Sequence, residues 1–186
     1  MNKSKMALGI TLLGVSISSI AAPTNGSLTF SFSGQIPATA TAGTGWAFVQ
    51  ADGTTPYTAP ANIPLVSKNT TSGLELTSSL ATFYVKPSTG SFTDASNITA
   101  RLVANPTLLG TAIIASQLNN VTSSIYINGT PLTTTSAKVY TISGSSDSTP
   151  KAMGLSASVE VPTAARNPSG GAIQVMAILQ VAADIT

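Results

Sequence analysis

Six carboxylates, Asp52, Glu75, Asp94, Asp147, Glu160 and Asp184, are the first candidates for acid-base or cation chemistry in this 186-residue sequence. General acid-base catalysis and cation binding both want such groups in convergent sets, and no two of these lie within five residues of one another. Histidine and cysteine are absent, which removes the commonest metal ligands, the usual general base and the thiol nucleophile. Gly43-Thr44-Gly45 lacks the lysine and the following helix of a phosphate-binding loop. Three Asn-x-Thr triplets, at Asn69, Asn97 and Asn120, are the chance yield of a chain rich in Asn, Ser and Thr. No catalytic, cofactor-binding or metal-ligating residue is nominated, and an enzyme is not expected. Among the aromatics, Trp46 within Trp46-Ala47-Phe48-Val49 reads as core, and Tyr57, flanked by prolines and threonines, as an exposed contact.

The chemistry that the spacing does favour is association. Ile173, Val175, Ala177, Leu179, Val181, Ala183 and Ile185 form an unbroken period of two that ends one residue before Thr186. This predicts one closing β-strand with a buried face. Near the other end, Leu28, Phe30, Phe32, Gly34 and Ile36 repeat the alternation, with Ser27, Thr29, Ser31, Ser33 and Gln35 between them. Two matched apolar strands, one at each end, are built to pair.

The elements between them must be placed within a processed chain. Lys3 and Lys5, the uncharged run from Met6 to Ile20 and the small residues Ser19, Ala21 and Ala22 have the form of a secretory signal peptide. Cleavage after Ala21 puts small residues at both recognition positions and keeps Pro23 away from the scissile bond, so residues 1–21 are read as the signal peptide. Ala22 then starts a mature chain of 165 residues, enough for one domain with a real core. Its six basic and six acidic residues balance, so the net +2 of the whole sequence belongs to the signal peptide and nothing asks for nucleic acid. No later segment has the roughly 20 apolar residues of a membrane helix; the best, Ala172 to Ala183, is interrupted by Gln174 and Gln180. Export without cysteine leaves stability to packing and partners.

Turn chemistry recurs at short intervals: Asp52-Gly53, prolines 56, 60 and 64, Ser72-Gly73, Pro87 to Gly90, Asn105-Pro106, Asn128-Gly129, Gly144 to Ser148 and Asn167 to Gly171. The runs between them predict strands at 46–50, 65–67, 74–77, 81–86, 98–103, 123–127, 138–142 and 154–161, an all-β sandwich. In the last of these, Leu155, Ala157, Val159 and Val161 alternate with Ser156, Ser158 and Glu160, so one face is buried and one wet. Asn128-Gly129 supplies the two positive-φ positions of a type I′ hairpin turn. Leu108, Ala112, Ala115 and Leu118 would share one face of a short helix over 108–118, against the β-branched residues in that segment.

The opening Ala-Pro-Thr-Asn-Gly, followed by Leu28-Thr29-Phe30-Ser31-Phe32-Ser33-Gly34-Gln35-Ile36, resembles the N-terminal extension of pilins assembled by the chaperone/usher pathway. Gly34 sits where that family places a small residue among alternating apolar ones. The chain is most similar to the cysteine-free major subunits of enterotoxigenic colonisation-factor fimbriae. They share a Thr-Asn-Gly-x-Leu-Thr-Phe opening, a Trp-Ala-Phe-Val run like residues 46–49, an Ile-Thr-Ala-Arg segment like Ile98 to Arg101 and a strand with an Asn-Gly turn. It differs from the cysteine-bearing branches, which carry a disulfide and a tyrosine next to last, where this chain has Ile185.

The resemblance implies an incomplete immunoglobulin-like β-sandwich completed by donor-strand complementation: residues 22–37 a donor extension, residues 38–186 the pilin domain. Leu28, Phe30, Phe32, Gly34 and Ile36 would be the donor positions. Ile173, Val175, Ala177, Leu179, Val181, Ala183 and Ile185 would edge the acceptor groove, with the Thr186 carboxylate anchored by a periplasmic chaperone. Other implied partners are further copies of the chain, joined head to tail, an outer-membrane usher and a tip adhesin. The implied destination is a fimbria at the cell surface, reached through the periplasm, where the subunit supports adhesion. Two other readings stand beside it: a minor or tip subunit of the same fimbria, and a monomeric secreted carbohydrate-binding sandwich. The plainest alternative has residues 28–36 as the first strand of a complete sandwich.

Overall fold

A computed structural model describes residues 42–43, 45–92, 94, 96–143 and 147–185. The predicted signal peptide, the donor positions Leu28 to Ile36 and Thr186 lie outside them. The described chain is all-β: β1 (Trp46–Val49), β2 (Leu65–Asn69), β3 (Gly73–Ser78), β4 (Ala81–Pro87), β5 (Asn97–Leu102), β6 (Thr107–Gly110), β7 (Thr122–Ile127), β8 (Thr130–Pro131), β9 (Ala137–Thr141), β10 (Lys151–Pro162), β11 (Ile173–Met176) and β12 (Leu179–Ala183). Two short 3-10 turns, Ala115–Asn120 and Thr163–Ala165, interrupt the strands.

Every pairing is antiparallel, and β10 is the axis of the largest sheet. Leu155 of β10 is opposite both Ala81 and Ile127, and Ser158 opposite both Thr77 and Ser124. A residue with two partners has one on each edge, so β3 and β4 share one edge of β10 and β7 occupies the other. β1 adds outside β4, β2 outside β3, and β8 outside β7. The remaining strands make a three-stranded sheet in the order β12-β5-β9 and a two-stranded pair β11-β6.

Period-two burial follows from this pairing. The main apolar cluster takes Phe83 and Val85 from β4, Ile125 and Ile127 from β7 and Met153 from β10, together with Ile98, Ala100 and Leu102 from β5 and Val139 from β9. A second cluster joins Leu76, Val159 and Val161 of the large sheet to partly buried Leu108, Ile173 and Val175 of the β11-β6 pair. Apolar faces from the large sheet thus meet those of the two smaller ones, an arrangement compatible with a β-sandwich.

The Asn-Gly hairpin forms as its sequence predicts. Asn128 and Gly129 have φ of 49° and 78°, and Tyr126 and Ile127 pair with Pro131 and Thr130. Asn128 does more than turn the chain: its side-chain oxygen accepts the Gly154 N–H at 2.8 Å and its amide donates to the Val139 carbonyl at 3.2 Å, tying β7 to β10 and β9.

The helix expected over 108–118 does not form. Thr107–Gly110 is a strand paired with β11, and only Ala115–Asn120 is helical, as a 3-10 turn. Gly110 has φ of +127°, and Ile113 and Ile114 follow Thr111 closely; β-branched crowding and a helix-incompatible glycine favour the sheet.

Candidate functional site

Two of the six carboxylates are brought side by side, Glu160 of β10 standing opposite Glu75 of β3, with Lys68 of β2 opposite Glu75 on its other side, and the pair lies on the strands' polar face. Among the described residues no group of three or more Asp or Glu could hold a metal ion. Asp52 and Asp147 have their pKa lowered to about 2, each by local bonds: the Thr55 hydroxyl and the Thr54 and Thr55 N–H groups on Asp52, and Lys151 with Thr149 on Asp147. Both carboxylates secure turns and face no shared cleft. No helix among the described residues is long and apolar enough to cross a membrane.

The C-terminal strand is where geometry concentrates. The expected single strand is two, with Ala177 and Ile178 between them, Ala177 exposed and Ile178 68% exposed. The cause lies across the sheet. β12 pairs with β5 and β11 with β6, but β5 and β6 are separated by the four residues 103–106, whereas only two residues separate β11 from β12. Asn105-Pro106 supplies that extra length, and Pro106 has no N–H to continue a ladder. The alternation nevertheless keeps its phase across the break. Ile173, Val175, Leu179, Val181, Ala183 and Ile185 are all half-buried against the core clusters, and Ala177 is the one position that the sequence reading placed inward and the fold leaves outside.

The backbone of these same residues is directed outward along the sheet. Val103 N–H donates to the Ile178 carbonyl at 2.9 Å and Asp184 N–H to the Asn97 carbonyl at 3.3 Å. In an antiparallel ladder hydrogen-bonded pairs alternate, so residues 178, 180, 182 and 184 spend their backbone groups on β5. Thr111 N–H to the Ala172 carbonyl, 2.9 Å, fixes the same parity for β11 against β6. Ile173, Val175, Leu179, Val181 and Ala183 therefore turn N–H and C=O to the opposite edge, where no described strand pairs with them. One end of this edge comes close to the start of β1, since a Cβ added to Gly45 would stand 3.9 Å from the Ile185 side chain.

No protein-family model matches the chain, and a search of curated proteins finds no relative.

The edge thus combines half-covered apolar side chains with a row of backbone donors and acceptors that no described strand uses. It can accept one further strand: backbone pairing would satisfy the ladder, and alternate side chains would complete the cover over the core. Alternation found the inward residues, and the expectation that they edge a groove came only from the family resemblance, because alternation reports a buried face and says nothing of how many neighbours a strand has.

A second feature escaped the sequence reading in part. Tyr57 is half-buried, its ring 5.7 Å from that of Phe83, and it lines an open depression of about 370 Å³ with Gln50, Ala51, Thr58, Thr82 and Tyr84. Trp46 is buried, as its apolar run predicts, and stacks edge-on against Phe48 at 4.9 Å.

Proposed function

We propose that the chain is a structural subunit of a surface fimbria that polymerises head to tail, each copy lending residues 28–36 to the open edge of β11 and β12 in its neighbour. The observation that carries this reading is the edge itself: five alternating residues whose side chains half-cover the core while their backbone groups have no partner among the described residues. The occupant is argued from the chain's own sequence, in which Leu28, Phe30, Phe32 and Ile36 repeat the period that such an edge demands. Burying those four side chains at about 1.5–3 kcal/mol each contributes about 6–12 kcal/mol before ordering costs. A strand donated by one copy to the next is a heterologous contact that does not close, so an open filament is the product. Until the neighbour arrives, an exposed edge of this kind invites aggregation, which is the physical case for a periplasmic chaperone that lends a strand first and an outer-membrane usher that exchanges it. In this reading the filament supports adhesion, with or without a separate tip adhesin.

The test is thermal unfolding of a chain lacking residues 1–37, with and without a synthetic peptide of residues 22–37. The expected result is a rise of tens of degrees in the midpoint and very slow release of the peptide, with a Gly34→Asn peptide failing to do either. A truncated chain that is already stable alone, or that gains nothing from the peptide, overturns the proposal.

A further inference from the structure

We infer that the depression between Tyr57 and Tyr84 is a binding site for a neutral saccharide, carried by this subunit itself and separate from the strand edge. Gln50, Thr58, Thr82 and the two tyrosines bring an amide and four hydroxyls to one hollow, and none of these side chains bonds to another described residue. Their surroundings are the reverse. In the adjoining turn, Asp52 accepts from Thr54 N–H, Thr55 N–H and the Thr55 hydroxyl, Gln50 N–H donates to the Thr55 carbonyl, and Gly53 N–H donates to the Gln50 carbonyl. The Lys86 ammonium is spent on the Gly53 carbonyl at 2.8 Å. One wall is therefore a turn held by its own hydrogen bonds, and the groups facing the hollow are left for a ligand.

The lining selects the ligand class by elimination. Among the described residues no charged side chain lines it, so a phosphate, a carboxylate or an ammonium group finds no counter-ion among them. Ala51 is its one aliphatic side chain, too little to hold a lipid tail or an apolar peptide anchor. Aromatic rings beside an amide and hydroxyls suit a sugar, whose C–H face packs on a ring while its hydroxyls exchange donors and acceptors with the rim. Burial raises the Tyr57 pKa, which keeps that hydroxyl neutral.

Tyr57 is held in place by the fold: its N–H donates to the Phe48 carbonyl at 3.0 Å, and its ring leans on Phe83. Tyr84 reaches the hollow from β4, opposite Val49 of β1. The site lies at the Gln50 end of β1, whereas Ile185 approaches the Gly45 end. Five residues of extended chain separate the two by about 17 Å. A strand added to the open edge leaves the hollow uncovered along β1, so in a filament each copy would offer one weak site and the array would bind by multivalency.

Saturation-transfer NMR on the sugar protons tests this with the full mature chain in whatever assembly state it adopts, so the outcome does not depend on polymerisation. The probes are lactose, maltose, cellobiose and di-N-acetylchitobiose, with 3′-sialyllactose as the anionic comparison. The expected result is transfer to the ring C–H protons of at least one neutral probe. Affinity should fall about tenfold in a Gln50→Ala/Thr82→Ala double variant, the scale of two neutral hydrogen bonds, with the fold retained because both positions are exposed. Tyr57→Phe should keep the stacking and lose part of the affinity. Absence of transfer from all four neutral probes, undiminished transfer in the double variant, or transfer confined to the sialic acid would each overturn the inference.

Discussion

β10 and the C-terminal strands β11 and β12 are written in nearly the same alphabet of alternating aliphatic and small polar residues, yet they end in different environments. Met153 and Val159 of β10 are 0% exposed and Val161 4%, with Leu155 and Ala157 between them half-buried, while no residue of β11 or β12 is fully buried. Hydropathy does not separate them; full burial is reached only in the strand that has neighbours on both edges. β10 is flanked by β3 and β4 on one edge and β7 on the other, whereas β11 and β12 have β6 and β5 on one edge and no described strand on the second. A side chain on a sheet is covered by the facing layer and by the residues beside it on adjacent strands. Removing one adjacent strand leaves the inward direction intact and the cover incomplete, which is the state of the C-terminal edge.

Truncation measures that difference most directly. Met153→Ala should cost about 2–5 kcal/mol by chemical denaturation, because the site is closed on every side and a cavity remains. Leu179→Ala, in a chain lacking residues 1–37, should cost less, about 1–2 kcal/mol, since the side chain is only partly covered. Adding the peptide of residues 22–37 should raise the Leu179 cost toward about 2–3 kcal/mol and leave the Met153 cost unchanged. Equal costs for the two variants without peptide would break the comparison, for then the C-terminal strand is as enclosed as β10.

Asn128→Ala asks whether the paired side of the fold can be weakened without touching the open one. It removes a side chain suited to the positive φ of the turn, the acceptor for Gly154 N–H and the donor to the Val139 carbonyl. The expected loss is about 1–3 kcal/mol, with the increment from the peptide unchanged. A variant that loses the peptide increment as well would mean that the β7–β9–β10 link also shapes the edge.

Much of this contrast was legible in the sequence, and the missing part has a physical reason. Each of the eight predicted strand segments overlaps a strand, because alternation and Gly, Pro and Asn turns are local signals. The Asn128-Gly129 hairpin was readable down to its φ angles for the same reason. Residues 108–118 were ambiguous because Leu108, Ala112, Ala115 and Leu118 satisfy a helical period; the pairing of Thr107–Gly110 with a strand some 65 residues later decided the matter. The break at Ala177 was invisible, since it originates in the extra residues of the partner segment 103–106. Tyr57 could be singled out by its flanking prolines, but not Tyr84, which the β1–β4 pairing brings to the same hollow.

The smallest effect comes from acid, and it bears on one region only. The Asp147 carboxyl is held at about 2, below its ordinary 3.8, chiefly by the Lys151 ammonium and then by the Thr149 hydroxyl and N–H; Asp52 is held at about 2 by Thr55 and Thr54. A carboxylate whose folded pKa is depressed adds stability above its unfolded pKa and loses it as pH falls through the folded value. The unfolding midpoint should therefore drop between about pH 4 and pH 2, and less steeply in Asp147→Asn and Asp52→Asn. Asp52 is exposed and Asp147 partly so, and the Lys151 share should shrink further at high salt. Asp147 stands four residues before the start of β10 and Asp52 follows β1, and their side chains bond to Thr149 and Lys151 and to Thr54 and Thr55, none of them in β11 or β12. The peptide increment should accordingly stay constant across this pH window even as the midpoint falls. An increment that declines in step with the midpoint would show that the turns before β10 and after β1 also hold the C-terminal edge in shape, and the two regions would then have to be treated as one.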